Sequence, residues 1–251
     1  MIAPVVAAVA DLLADVRRPV LVAIDGPDGS GKTHVARALA TELTARGLTT
    51  AHASVDSFHH PREHRHALGR TPEAVWGRHF DYRAMRRELL DPWRRGPGAT
   101  YTPVWHDVDA DTYVDRVSAS VPERGVLVVD GVFLQRPELV DAWDLAVYLD
   151  APPEVTVARM SRRDGTPDDV GHPDQQRYLR AQEIYRETCD PLGLADLVID
   201  NADWENPALR TRSGVGPAWR RVGEEIVREV RLPVDAAERA AAIDRLSDAA
   251  G

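Results

Sequence analysis

Five short apolar runs divide the chain, each closed by Asp, Gly or a polar pair: PVLVAIDG at 19–26, TTAHASVD at 49–56, GVLVVDG at 125–131, DLAVYLD at 144–150 and DLVIDN at 196–201. Runs of this length and character predict buried strands. Helix-like stretches lie between them, clearest at 32–46, 82–95, 153–163 and 174–188. Strands alternating with helices point to an α/β chain with a parallel sheet covered by helices on both faces. Ligands of such sheets bind beyond the carboxyl ends of the strands. That rule directs attention to 26–33, 56–58, Asp130 and Gly131.

The flanks read differently. Val5, Val9, Leu12 and Val16 recur at helical spacing, so the first residues predict an amphipathic helix packed on the domain. Asp11 and Asp15, with no basic stretch before them, argue against a signal peptide. The 57–80 segment is polar, rich in His and Arg and without a clear period, and long connections in compact domains are often functional. Residues 96–124 carry Pro and Gly and suggest a small hairpin-like insertion. Beyond Asn201, Trp219, Val222, Ile226 and Val230 predict one helical stripe, and DAAE at 235–238 resembles a capping box opening a last helix. The expected division is a domain over 1–203 and a helical appendage over 204–251, packed on the domain by default or forming a dimer surface, so a homo-oligomer stays open.

Composition narrows the field. The formal net charge is −9, which argues against a global attraction to nucleic acid or to an anionic membrane. No apolar run approaches the roughly 20 residues that span a bilayer. Cys189 is the only cysteine, so the chain holds no internal disulfide, which suits a reducing cytoplasm. Lys32 is the only lysine among 31 Lys and Arg residues, and its position is informative.

It lies in GPDGSGKT, where Gly26, Gly31, Lys32 and Thr33 fit G-x-x-x-x-G-K-[ST] between a strand and a helical run. Asp28, Gly29 and Ser30 complete the loop, and His34 follows on the helix. Glycines let successive main-chain N–H groups turn towards phosphate oxygens, and the helix adds its positive dipole end. ATP is the expected ligand. Thr33 is expected to ligate Mg²⁺ and Lys32 to reach the β- and γ-phosphates, where a compact ammonium fits and the planar fork of arginine does not. With no second lysine, the guanine-reading N-K-x-D motif of regulatory GTPases is absent.

The acceptor is a separate question. An alcohol benefits from a carboxylate that takes its proton, whereas a phosphate acceptor calls for arginine clamps. Asp56 ends the second strand and is the candidate base; the plainer reading of a strand-end Asp is a turn former or cap.

Here the chain resembles the uridine kinase family of P-loop kinases over about residues 19 to 203. The likeness rests on GPDGSGKT, VDSFHH, HFDYRAMRRELL, YTPVWHD, VLVVDGVF, VYLDAPPEVTVARMSRRD and ADLVIDNAD in that order. It implies a P-loop kinase-type three-layer sandwich, a five-stranded parallel sheet with helices on both faces and small lid and substrate-loop insertions, the lid at about 160–172. It implies ATP-dependent phosphorylation of a nucleoside 5′-hydroxyl, uridine or cytidine being the model acceptors. By the same likeness Asp56 is the base and a Mg²⁺ partner, and Asp130 the second acid near the metal. Asp81 holds sugar hydroxyls, Phe58 and His59 form the substrate-side aromatic pair, and Trp105 and His106 flank the base-reading position. Arg159 and Arg163 are lid arginines that neutralise the transferring phosphoryl group. His59 stands where the family usually has Tyr, and Asp109 or Asp111 lies where the family has a histidine at the base-reading wall.

Other readings stand beside this one: a kinase for another small alcohol such as a riboside, a pantothenate-like acid or an antibiotic; a monophosphate kinase; and a non-catalytic nucleotide-binding module. The cluster HHPREHRH offers substrate contacts or, alternatively, a soft-metal site. Trp76, Trp93 and Trp143 read as packing residues.

Overall fold

The computed structural model describes residues 2–210, and the backbone of 218–222 and 225–229. The chain opens with helix α1 (Ala3–Asp15), then β1 (Val20–Asp25), α2 (Lys32–Ala45) and β2 (Thr50–Ser54). Four short helices follow: α3 (Arg62–His66), α4 (Pro72–Arg78), α5 (Tyr82–Met85) and α6 (Asp91–Arg95). Two-residue strands come next, β3 (Thr100–Tyr101), β4 (His106–Asp107), β5 (Thr112–Tyr113) and β6 (Ala119–Ser120). The domain is completed by β7 (Val126–Gly131), β8 (Leu145–Asp150), α7 (Pro153–Asp164), α8 (Pro173–Cys189), α9 (Pro191–Leu194), β9 (Leu197–Asp200) and β10 (Ala208–Arg210).

The sheet runs β10-β9-β8-β1-β7-β2. The five expected strands pair in parallel, and a sixth, β10, adds antiparallel to β9 at one edge. Alternation along the strands divides the core into two layers. Val20, Val22 and Ile24 face α1 and α2 together with Val126, Val128, Val147 and Leu149. Leu21 and Ala23 turn the other way, into a layer with Trp76, Trp93, Phe133, Trp143 and Tyr185. The three tryptophans are each no more than 1 % exposed, so they pack as expected. Val5, Val9, Leu12 and Val16 are buried, which bears out the amphipathic first helix. No helix among the described residues is long and apolar enough to cross a membrane.

Three segments depart from the pattern. The 82–95 run is not one regular helix: a π-helical turn (Arg86–Leu90) joins α5 to α6. Pro92 has no N–H to give to the carbonyl of Glu88, and that oxygen instead accepts from Thr102 N at 2.7 Å. The insertion at 96–124 folds as two short antiparallel pairs, β3 with β6 and β4 with β5. The stripe through Trp219, Val222 and Ile226 is not helical; Ala218–Val222 (β11) and Glu225–Glu229 (β12) pair as antiparallel strands. Apolar residues three and four apart imitate a helix when two short strands are joined by a tight connection. Val230 and the capping-box segment 235–238 lie outside the described residues.

Candidate active site

The phosphate loop leaves the end of β1 in the middle of the sheet. Gly26 has φ 146° and a side-chain β-carbon there would fall 2.4 Å from the carbonyl oxygen of Leu149. Gly29 has φ 74° and would meet the carbonyl of Thr156 at the same distance. The loop thus presses against β8 and α7 at points where only glycine fits. Its entry is fixed from below. Asp25, fully buried, accepts from Gly26 N at 2.7 Å and from the Tyr185 hydroxyl at 2.5 Å. Burial pushes its carboxyl above the ordinary range, and the Tyr185 and Gly26 hydrogen bonds and nearby Lys32 oppose that shift.

Strand ends bring the remaining groups together. Lys32 is 8 % exposed and donates to the carbonyl of Pro27 at 2.8 Å. Thr33 donates to Asp130 Oδ2 at 2.5 Å, while Asp130 Oδ1 lies 2.7 Å from His52 Nε2. Asp56 sits in a 3₁₀ turn (Val55–Phe58) after β2. The turn is capped by Ser54, whose hydroxyl accepts from Asp56 N at 3.3 Å. The Asp56 carboxylate is therefore not consumed as a cap, and no hydrogen bond to it occurs among the described residues.

Two cavities of about 470 and 480 Å³ adjoin at this point, and Asp28, Asp56, Val132 and Arg163 line both. The donor-side cavity is lined by Gly29, Gly31, Lys32, Thr33, His34, Arg37, Asp130 and Arg159. The other is lined by His59, His79, Phe80, Phe133, Met160, Tyr178 and three arginines, Arg65, Arg70 and Arg177. Water reaches Asp56 through the cavities, but protein surrounds it otherwise. That surround pushes its carboxyl up to about 6, with Asp28 and Asp130 adding to the rise and Lys32 and Arg163 opposing it. Burial brings His59 down to about 4; its Nδ1 lies 2.8 Å from the carbonyl of Asp56.

Carboxylates that raise one another's affinity for protons also favour a cation between them. Thr33 Oγ1, Asp130 and Asp56 are hard oxygen donors beside the loop, which fits Mg²⁺. Among the described residues no cluster of three or more His, Cys, Asp or Glu forms a metal cage; Mg²⁺ needs none when one or two protein oxygens, phosphates and water complete its shell.

Not all expected site residues converge. Arg163 lines both cavities, and Arg159 lines the donor side while donating to the carbonyls of Asn201 and Ala202 at 2.8 and 3.0 Å. Ser30 and Gly26 are buried beneath the loop and line neither cavity. Four substrate-side residues lie elsewhere. Phe58 is 0 % exposed in the core. Asp81 caps α5 through Ala84 N at 2.8 Å and lines a third cavity with His60, His64, Arg136 and Glu138. Trp105 is held between Arg87 and Arg116, whose guanidinium carbons lie 5.4 and 4.9 Å from its ring. His106 is 1 % exposed against Tyr113. The histidine cluster is also split: His59 faces the second cavity, and His60 stacks on His64 at 4.1 Å in the third. Sequence reasoning assigned no role to Asp25, His52, Arg65, His79, Arg177 or Tyr178. Asp25 and His52 lie within strand runs, His79 opens HFDYRAMRRELL and Arg65 lies in HHPREHRH, while Arg177 and Tyr178 showed only polarity on a helix.

The phosphate loop, the five-stranded parallel core and the acids at successive strand ends define a P-loop kinase, a phosphotransferase acting on small substrates. The chain belongs to the family whose model is described as "AAA domain", which matches residues 22–182. It is 28 % identical over 154 residues to a uridine kinase of Lactiplantibacillus plantarum, covering 59 % of this chain and 69 % of that one. It is 25 % identical over 190 residues to a cytidylate kinase of Ignicoccus hospitalis, covering 72 % and 90 %. The structure of a possible uridine kinase from Bacillus stearothermophilus matches with a TM-score of 0.60 at 22 % identity, over 77 % of this chain and 96 % of that one.

Proposed function

We propose that the protein transfers the terminal phosphoryl group of ATP to the hydroxyl of a small alcohol, with Asp56 as general base. The observation that carries this reading is the Asp56 carboxylate, free of hydrogen bonds among the described residues, at the junction of the two cavities. On one side the loop amides and Lys32 hold the triphosphate. On the other the acceptor hydroxyl donates to Asp56 and gives up its proton as its oxygen bonds to the γ-phosphorus. The bond from that phosphorus to the β–γ bridging oxygen breaks, and ADP leaves. Arg163, at the junction, offsets the charge on the transferring group, and Arg159 supports the same side. Thr33, Asp130 and Asp56 would hold Mg²⁺, which supplies charge neutralisation and orients the phosphate oxygens.

A nucleoside 5′-hydroxyl of uridine or cytidine type is a finer reading. The likeness to a uridine kinase and the ring-lined wall of His59, Phe80 and Tyr178 favour it. The positions of Asp81, Trp105 and His106 do not add to it. Acceptor-dependent ADP release with uridine, cytidine, their monophosphates and a panel of simple alcohols tests both levels. Turnover of one or more alcohols supports the kinase reading. Preference for uridine or cytidine supports the finer one, and reaction of monophosphates alone assigns a monophosphate kinase instead.

A further inference from the structure

The acceptor cavity has an electrostatic asymmetry that a neutral acceptor leaves unused. At its junction with the donor side stand Asp28 and Asp56. Elsewhere on its wall stand Arg65 from α3 and Arg177 from α8, with His79 and Arg70. Arg65 is 9 % exposed, and its guanidinium makes no hydrogen bond among the described residues. Its nearest carboxylate oxygen is Asp111 Oδ1 at 3.5 Å from Nη2, and that oxygen already accepts from Arg62 N at 2.8 Å. Arg177 gives one hydrogen bond, to the Tyr178 hydroxyl at 3.1 Å, and stands 4.0 Å from Asp174. Asp174 in turn pairs with Arg70 at 3.2 Å. His79 is 9 % exposed and is held down to about 3, by burial first and then by His59, Arg65, Arg177 and His66.

A buried guanidinium without a hydrogen-bonded partner is costly, because its desolvation is not offset. It becomes favourable when an oxyanion enters and takes the fork of donors. Two arginines from separate elements on one cavity wall, and a weak counter-charge for each, make such a receptor. We propose that the acceptor carries an oxyanion in addition to its reactive hydroxyl, bound by Arg65 and Arg177 while the hydroxyl meets Asp56. The substrate class is then a hydroxy acid or a phosphorylated alcohol rather than a neutral nucleoside. This rests on the alcohol-kinase reading and replaces its neutral-nucleoside form.

The test compares matched acceptors on the full chain: glycerol, glycerate and glycerol 3-phosphate; ribose and ribose 5-phosphate; uridine and uridine monophosphate. Phosphorus NMR of each product shows which group is phosphorylated: a new phosphate ester on a hydroxyl agrees with the proposal, and a diphosphate built on the existing phosphate overturns it and assigns a monophosphate kinase. ADP release is followed with ATP and Mg²⁺. Binding of the same compounds is followed by calorimetry with a non-hydrolysable ATP analogue filling the phosphate loop. The expected result is a preference of about 100-fold or more for an anionic member over its neutral counterpart, the carboxylate and phosphate arms showing which oxyanion is used. Arg65→Gln and Arg177→Gln should each raise its KM by about 10- to 100-fold, the scale of a lost charged hydrogen bond. The two variants are assayed separately because Arg177 is less buried and guards against a folding defect at Arg65. Preference for the neutral member in every pair, or an unchanged KM in both variants, overturns the proposal. Selective anion binding that both variants lose, without acceptor-dependent ADP release from any compound, upholds the oxyanion site and rejects the kinase reading.

Discussion

The two cavities that share Asp56 are built by different rules. The donor side is built around one stretch, residues 28–34, joined by Arg37 of α2, by Asp56 and by groups from the end of β7 and from α7. In the proposed reaction the triphosphate is gripped mainly by main-chain amides, so the requirements fall on backbone geometry: glycine where the loop meets Leu149 and Thr156, and one compact ammonium at Lys32. The acceptor side gathers side chains from the turn after β2, from α3, α4, α7 and α8, and from the segment after β7. The side chains on that wall make no hydrogen bond to the loop backbone among the described residues, although α7 and α8 also brace the loop through Thr156 and through Tyr185 on Asp25. The difference implies that donor use is fixed by local sequence, whereas acceptor choice is set by residues far apart in the chain.

Substitutions separate the two halves. The largest effect is expected at their meeting point: Asp56→Asn should lower kcat by about 10²- to 10⁴-fold for every acceptor, on the scale of general-base loss. Lys32→Met should cost about 10²- to 10³-fold in kcat, again whichever acceptor is used, because it acts on the donor. A loss confined to one acceptor would break the division. Changes at Arg65 and Arg177 belong to the acceptor half alone, and their smaller effect should appear in KM for the acceptor.

Gly29→Ala tests the backbone requirement. Its β-carbon has no room beneath Thr156 and its φ is unfavourable, so a destabilisation of about 1–3 kcal/mol is expected in denaturant unfolding. The pH dependence sharpens the role of Asp56. Its folded-state carboxyl near 6 lies above the ordinary value, so kcat/KM should fall tenfold per pH unit below about 6 as the base is protonated. The sign for stability is opposite to that of a salt-bridged acid. A raised carboxyl favours the protonated folded state, and stability is lost as pH climbs from about 4 towards 6. Asp56→Asn should therefore be slightly more stable than the parent at pH 7. Because solvent reaches the carboxylate, the gain should be no more than about 1 kcal/mol, read as a small rise in Tm.

The same contrast explains what the sequence disclosed. The parallel strands were legible because buried runs of Val, Leu and Ile, as at 125–131, have few alternatives in an α/β pattern. The loop was legible because its chemistry depends on spacing alone. Asp56 and Asp130 were legible as strand ends. Of the acceptor wall beyond Asp28, Asp56 and Arg163, only His59 was legible. Asp81 sits in a motif that resembles a sugar-binding acid, yet it is occupied in capping α5. Trp105 and His106 lie near the right point in the chain but are turned into the small β3–β6 insertion. Arg65 and Arg177 are separated by 112 positions, and only the packing of α3 on α4 and of α4 on α8 brings them onto one wall. The strands β10, β11 and β12 were missed because short polar or mixed runs carry no decisive period.

The central claim is that one carboxylate serves as the contact between donor and acceptor. A structure with a non-hydrolysable ATP analogue, Mg²⁺ and the acceptor selected by the turnover assay tests it most directly. The account predicts the triphosphate on the 26–33 loop and the acceptor hydroxyl within about 2.6–3.2 Å of the Asp56 carboxylate. An acceptor seated in the third cavity beside Asp81, or one whose hydroxyl points away from Asp56, would contradict it.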